Sequence, residues 1–522
     1  MERSDTRLML LQVKTQAGLV RGVPTDVEGL AVFRGIPYAS PPVGDNRWRA
    51  PQPVEPWEGV RDCTTYGPAC VQPERGEGNF YGKEFYSHRF HRYPLAWSED
   101  CLYLNIWTPA QTDTDKLPVF VWIHGGGYTQ GYSHEPRSNG EVLASKGMVV
   151  VSINYRLNIF GFFGHPELVA EQGGHCGNYA IMDQAAALHW IQDNIAVFGG
   201  DPENITVAGQ SAGSFSVEAL AVTPLAKGTF RRAIMQSGAM GSPWPDGSSW
   251  FFVHQKDVEE KGTSFMAFAG KKSLAELRAM PTGELNKAYL AFVADKKEDF
   301  NNLCADGYVL TRNPGDMFAC GEENIEELLI GATSKESKIT PTIPGVNLKN
   351  YKQIIDGLPS CDFSLMAQAK VDTDEDASAL VNSWFAWYMN GSSLGLCEHM
   401  NRVSNKKVYC YSFRREVPGS DRPGPFHSAC IWYMFGNLHN ARRPFTEEDF
   451  TLEETMVGYW SNFAKYGDPN GNGLPEWRAY TVARPDCMVL DVGGGRMEKA
   501  TAVNPSFALL RDALVKKESD SI

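Results

Sequence analysis

The chain is short of everything a membrane or nucleic-acid protein would need. Its apolar runs are strand-sized, as at residues 148–151, far below the roughly 20 residues that cross a bilayer, so no membrane span is expected. Positive charge is scarce: 49 Lys and Arg face 62 Asp and Glu, a net charge of −13. Nucleic acid or an anionic membrane surface would repel such a chain as its main partner. The eleven cysteines are scattered and odd in number, which fits a reduced compartment better than a disulfide framework. Near the N-terminus only residues 8–11 are apolar, with no long hydrophobic region and no small-residue cleavage site after them. No signal peptide is therefore expected, and a cytoplasmic location is. His88 and His91 stand three apart, but no carboxylate or cysteine pattern accompanies them, so solvated loop is expected there and no metal. There is no internal repeat and no low-complexity tract.

What is present suffices for a large core. Apolar residues make up 43% and charged residues 21% of 522, which excludes disorder as a description of the whole chain. The length prior allows several domains, yet large α/β enzymes often keep one continuous sheet and carry extra length as insertions. Residues 10–40 alternate about Gly18 and read as a meander. Residues 102–107, 119–123 and 149–153 are nearly continuous hydrophobic runs, the mark of strands buried on both faces. A helical pattern over 178–194, with Ile181, Ala185, Leu188 and Ile191 on one face, precedes a further strand ending near residue 210. This alternation predicts a mostly parallel, doubly wound sheet. Residues 41–100 are rich in Pro, Gly and Tyr and read as long surface loop, 240–320 as a helical cap, and 327–330 as a return to the sheet.

The segment Gly209-Gln210-Ser211-Ala212-Gly213 follows a β-branched run and leads into helix-compatible residues, the outline of a nucleophile elbow. Average glycine and serine usage yields roughly 0.3 such pentapeptides by chance in a chain of this length, so the surroundings must decide. At the turn the Ser211 hydroxyl would stand clear of the sheet, and the Ala212 N–H would open a helix, where unpaired donors favour negative charge. His124-Gly125-Gly126-Gly127-Tyr128 follows the strand 119–123 directly. Its glycines let backbone approach a substrate, so Gly125 and Gly126 join Ala212 as candidate oxyanion donors. A plain turn or a phosphate-cradling loop is the other reading, though no Lys-Ser/Thr follows as a P-loop requires. For a base, eleven histidines compete. His427, in a loop entering an aromatic helix, comes late enough for the order Ser, acid, His. For the acid, Glu336 lies just beyond the strand 327–330, although an exposed helix-start glutamate reads the same way.

Taken together these residues resemble the type-B carboxylesterase and cholinesterase family of α/β-hydrolases. The elbow sits in Phe198-Gly199-Gly200-Asp201-Pro202-Glu203-Asn204 through Gly213, which matches that family's extended serine signature. Its second signature is matched by Glu99-Asp100-Cys101-Leu102-Tyr103-Leu104-Asn105. Further similar blocks are Phe33-Arg34-Gly35-Ile36-Pro37-Tyr38-Ala39, Asn154-Tyr155-Arg156, Gly177-Asn178-Tyr179 with Asp183-Gln184, and Phe463-Ala464 through Gly467-Asp468-Pro469-Asn470. The resemblance implies one α/β-hydrolase domain over 1–522, with cap-like insertions around 60–100, 240–320 and 340–430. It implies Ser211 as nucleophile, Glu336 as acid and His427 as base, Gly125, Gly126 and Ala212 as oxyanion donors, and Ser216 as a supporting serine near the acid. The activity implied is hydrolysis of small carboxylic esters through an acyl-enzyme, without metal or cofactor. Amide or thioester hydrolysis, or an inactive binding or adhesion role, are the alternatives.

Three residues depart from the family pattern: Lys335 where an acidic residue usually precedes the glutamate, Cys430 for a carboxylate three residues after the histidine, and Gln210 for a frequent glutamate. Cys101 resembles one partner of a family disulfide whose other half would be Cys70, a pairing expected only under oxidising conditions. Cys430 also invites a thiol-nucleophile reading, against which no oxyanion glycines adjoin it. The family's cation-binding tryptophan has no clear counterpart ahead of Cys101, Trp97 being the nearest, so choline esters are not the expected substrates.

Overall fold

Alternation along the hydrophobic runs sets the architecture. Within Leu117–Ile123, Val119, Val121 and Ile123 enter one buried cluster while Phe120 and Trp122 enter another, as a period of two requires of a strand covered on both faces. The computed structural model describes residues 9–73, 78–85, 95–240, 251–336, 340–358, 363–503, 507–509 and 511–512. His88 and His91 lie outside them.

Eleven strands form the central sheet: β1 (Val23–Pro24), β2 (Ala31–Pro37), β3 (Tyr103–Thr108), β4 (Leu117–Ile123), β5 (Val149–Ile153), β6 (Gly200–Gln210), β7 (Arg232–Gln236), β8 (Glu327–Thr333), β9 (Lys407–Phe413), β10 (Asp486–Asp491) and β11 (Gly494–Lys499). Their spatial order is 11-10-9-8-7-6-4-5-3-2-1. Every pairing from β10 across to β5 is parallel, and both edges are antiparallel. The expected α/β arrangement with an N-terminal meander is therefore observed. A small separate sheet of Gln12–Thr15, Gly18–Arg21 and Val60–Asp62 carries the first strands of that meander.

Helices cover both faces: α1 (Phe80–Phe85), α2 (Tyr179–Asn194), α3 (Ala212–Val222), α4 (Gln255–Phe268), α5 (Thr282–Lys296), α6 (Trp384–His399), α7 (Cys430–Phe435) and α8 (Glu447–Tyr466). The first cluster packs α2, α3 and α6 against one face, and the second packs α7 and α8 against the other. None of the described helices is long and apolar enough to cross a membrane. The region 240–320 supplies α4 and α5. The segment 340–430 departs from expectation, because Lys407–Phe413 is a strand between β8 and β10. Its sequence mixes Lys, Ser and two tyrosines into the apolar pattern, so it does not stand out as the uninterrupted runs do.

Two buried ion pairs tie distant segments together. Arg47 grips Glu99 through two bonds, Nε to Oε2 at 2.8 Å and Nη2 to Oε1 at 2.5 Å, and its Nη1 donates to the carbonyls of Leu277, Arg278 and Met280. The cap is thereby pinned at the start of α5. Arg156 meets Asp183 with Nε at 2.8 Å and Nη2 at 2.7 Å, and the Arg156 backbone N–H adds a bond at 3.1 Å. Both side chains are buried, so removing one partner strands the other's charge away from water. Arg156→Met is expected to lower the unfolding free energy by about 3–5 kcal/mol, read from the denaturant midpoint, with part of the loss recovered when Asp183→Asn is added. A midpoint unchanged in the single variant would refute this.

Candidate functional site

Strand β6 ends at Gln210 and α3 begins at Ala212, so the whole change of direction falls on Ser211, at φ 57° and ψ −125°. Non-glycine residues rarely adopt a positive φ. The turn is too tight for side chains on either flank: a Cβ at Gly209 would lie 2.2 Å from the Gly213 carbonyl, and one at Gly213 would lie 2.1 Å from that of Ile123. The Ser211 N–H donates to the Gln236 carbonyl at 2.9 Å, which ties the turn to β7. Ser211 is 8% exposed, and among the described residues its hydroxyl makes no hydrogen bond.

The glycine loop after β4 lies over this turn. A Cβ built on Gly125 would stand 3.1 Å from the Ser211 Cβ and 2.5 Å from the Gln210 carbonyl. Gly126 takes φ +114°, and a Cβ there would lie 2.1 Å from the Gln130 carbonyl. His124 is buried, stacks on Tyr155 and donates Nδ1–H to the Gly125 carbonyl at 2.9 Å. In a trans peptide the C=O and N–H point opposite ways, so this bond fixes where the Gly126 N–H faces. Burial pulls the His124 imidazole down to about 4, leaving it neutral and structural at ordinary pH.

Beyond the end of β8, Glu336 adopts φ 42° in a reciprocal clasp with Thr333. Its Oε1 accepts the Thr333 N–H at 2.8 Å, and its own N–H donates to the Thr333 hydroxyl at 3.1 Å. Its Oε2 lies 2.5 Å from Nδ1 of His427, which sits in the loop before α7. The carboxylate accepts and Nδ1–H donates, and the other ring nitrogen is Nε2. That nitrogen receives the Gln210 amide at 3.1 Å, while Ser428 donates to the Gln210 Oε1 at 2.9 Å. The His427 loop is braced from α8, where Asp449 binds both Arg415 at 2.7 Å and the Tyr433 hydroxyl at 2.7 Å.

Ser211, Gln210, His427, Gly126 and Gly127 line one cavity of about 500 Å³. Five aromatic side chains stand in its walls, Phe80, Tyr81 and Phe85 on α1, Phe251, and Phe385 on α6. Among the described residues, Arg137 and Asp299 are charged groups that reach it. Arg137 is paired with Glu135 at 2.7 Å and lies 4.1 Å over the Phe85 ring. Asp299 is hydrogen-bonded by Tyr289, and burial pushes its carboxyl above the usual range.

The sequence model of the Carboxylesterase family matches residues 10–505. The chain belongs to the carboxylesterase family. Rat (Rattus norvegicus) Carboxylesterase 1D is 34% identical over 513 residues, covering 90% of this chain and 87% of its own. The medium-chain fatty acyl-CoA hydrolase precursor of Anas platyrhynchos is 33% identical over 504 residues, covering 90% and 87%. The crystal structure of the Geobacillus stearothermophilus carboxylesterase EST55 superimposes with a TM-score of 0.77 at 31% identity, covering 96% of this chain and 99% of that one. Family membership makes the protein a carboxylic ester hydrolase of the α/β-hydrolase fold.

The carboxylesterase structure brings Ser211, Glu336, His427, Gly125, Gly126 and Ala212 to one end of the sheet, and it does not bring Ser216 to the acid. The Ser216 hydroxyl accepts from Gln184 at 3.0 Å and donates to the Tyr128 hydroxyl at 3.2 Å. It stands more than a turn into α3, where it faces α2 and the residue after the glycine loop. Thr333 holds Glu336 instead. That role had no sequence signal beyond a hydroxyl three residues before a carboxylate. Lys335 points away from the site to Glu416 on the surface. Trp97 packs edge-on to Tyr132 at 6.2 Å and is absent from the cavity lining. Cys70 and Cys101 are free, buried thiols, and the hydrogen bond to Cys70, with burial, keeps the Cys101 thiol protonated.

The thiol-nucleophile reading of Cys430 fails on its surroundings. The residue is fully buried on α7, its sulfur receives the Gln236 amide at 3.5 Å, and burial pushes its thiol up to about 12. Reactive cysteines need an accessible thiolate. Incubating the folded enzyme with iodoacetamide at pH 8 is therefore expected to leave Cys430 unlabelled in peptide mass mapping, with ester hydrolysis intact. Labelling of Cys430 in step with loss of activity would reinstate the thiol.

Proposed function

We propose that the protein is a serine esterase in which Ser211 attacks the ester carbonyl, His427 shuttles the proton and Glu336 orients the imidazole. The observation that carries this reading is the 2.5 Å contact between Glu336 and the Nδ1 of His427, with Ser211 lining the same cavity. His427 Nε2 takes the proton of the Ser211 hydroxyl as the oxygen adds to the carbonyl carbon. The negative charge that develops on the carbonyl oxygen is met by the N–H groups of Gly125, Gly126 and Ala212, which are preorganised and need not turn at that moment. Collapse of the tetrahedral species releases the alcohol with the proton held on Nε2. Water, deprotonated by the same nitrogen, then frees the acid and restores the serine. The aromatic walls favour an apolar or aromatic group on the substrate, because burying such a surface excludes water from it.

A second reading, thioester hydrolysis, draws on the similarity to the fatty acyl-CoA hydrolase and uses the same steps with a thiolate leaving group. Comparing a p-nitrophenyl ester with the matching acyl thioester ranks the two. Ser211→Ala is expected to abolish turnover of the p-nitrophenyl ester and labelling by a fluorophosphonate probe; activity above a few per cent would overturn the assignment. Glu336→Gln should lower the catalytic rate on the order of 10³ to 10⁴-fold with the fold intact, and normal turnover in that variant would move the role to another carboxylate. A chain that neither hydrolyses any ester nor takes the probe would instead be an inactive binding member of the family.

A further inference from the structure

One buried contact of His427 plays no part in the chemistry above. The ring nitrogen that has to receive the Ser211 proton is occupied by the Gln210 carboxamide, at 3.1 Å. The atom that faces the ring is the carboxamide nitrogen, which donates only, so the ring nitrogen accepts here. The Ser428 hydroxyl donates to Oε1 at 2.9 Å and seats the carboxamide with its nitrogen toward the ring. Gln210 and Ser428 are 1% and 4% exposed, so little of either side chain faces bulk solvent. Ser428 also sits at φ 74°, which strains a serine and would cost a glycine nothing. A strained residue next to the base, with its buried hydroxyl committed to a neighbouring side chain, indicates a constraint that acts on the site.

We propose that Gln210 and Ser428 form a clamp that holds His427 in its neutral, Nδ1-protonated form with Nε2 facing the nucleophile, Gln210 being a positioning residue that yields Nε2 to the Ser211 hydroxyl at each turnover. This rests on the triad proposed above. A donor aimed at Nε2 is compatible with a lone pair there and opposed by an N–H, so the clamp disfavours the doubly protonated ring in the resting enzyme. The other groups around the ring do not supply this effect. Glu336 acts on the opposite nitrogen. Cys430 and Tyr411, behind Glu336, are held protonated by burial. Phe385 packs edge-on at 5.6 Å, and the Tyr81 hydroxyl donates to the His427 carbonyl at 3.3 Å. Arg137 and Asp299 line the cavity, each paired within its own wall.

The test is the acid limb of the pH profile of kcat/KM, which reports the free enzyme. Gln210→Glu places a carboxylate where the imidazolium N–H can donate to it, and the limb is expected to move to higher pH by about one unit or more. Gln210→Met removes the donor and should move the limb in the same direction by less. Ser428→Gly releases the carboxamide and should behave like Gln210→Met, and the double variant Gln210→Met/Ser428→Gly should move no further than Gln210→Met alone, because both changes break one unit. Limbs that coincide with the parent's within the error of the fit, in variants that still take the fluorophosphonate probe, would overturn the clamp and leave the triad standing. Turnover in Ser211→Ala would instead overturn the triad. If the Gln210 variants prove misfolded by circular dichroism, Ser428→Gly decides alone, and an unmoved limb in it overturns the proposal.

Discussion

At Ser211 the chain leaves β6 with φ 57° and enters α3 within a single residue, and it can do so only where three backbones meet without side chains between them. Gly209 lies against Gly213, and Gly213 lies against the end of β4. A positive φ on a serine costs on the order of 1–3 kcal/mol. The strain persists because β6 is wedged between β4 and β7 in a sheet buried on both faces, where the register of one strand cannot relax without moving its neighbours. The glycine loop, the cavity floor and the helix start all take their positions from this point. Glu336 and His427 are brought to it by the ends of β8 and β9, two and three strands further along the same sheet.

How much of this was legible in the sequence depended on whether a feature was local. The uninterrupted runs in β3, β4 and β5 announced themselves because strands covered on both faces have no polar face to interrupt them. The elbow was legible because glycine is required at two fixed offsets from a serine, and α2 because its apolar residues recur at helical spacing up to Asn194. β9 was hidden inside an expected insertion, since its pattern carries Lys407 and Ser412 among tyrosines. Ser216 was placed beside the acid and instead faces α2, since a serine on a helix gives no sign of which neighbour its side of the helix will meet. The bond between Ser428 and Gln210 joins residues 218 apart in sequence, and no local pattern encodes such a meeting.

The three departures from the family pattern sort by direction. Lys335 turns outward into an exposed pair with Glu416, so a change of charge beside Glu336 is taken up by solvent rather than by the site. Cys430 stands where the family pattern has a carboxylate and is a neutral buried thiol that receives the Gln236 amide at 3.5 Å. Gln210 alone points at the imidazole. Of the three, only that exchange of a carboxylate for a carboxamide touches a group in the proposed chemistry, and it comes paired with a serine in a backbone conformation suited to glycine.

The cavity draws its floor from the ends of β4 and β6 and its walls from α1, the residues on either side of α4 and α5, and α6. These pieces are held by separate fastenings: Arg443 grips Glu84 on α1, and Arg47 pins the segment before α5. Each wall can therefore be exchanged by mutation while the floor stays as it is. A lineage with this layout is free to change its diet one panel at a time, keeping a constant engine under a variable mouth.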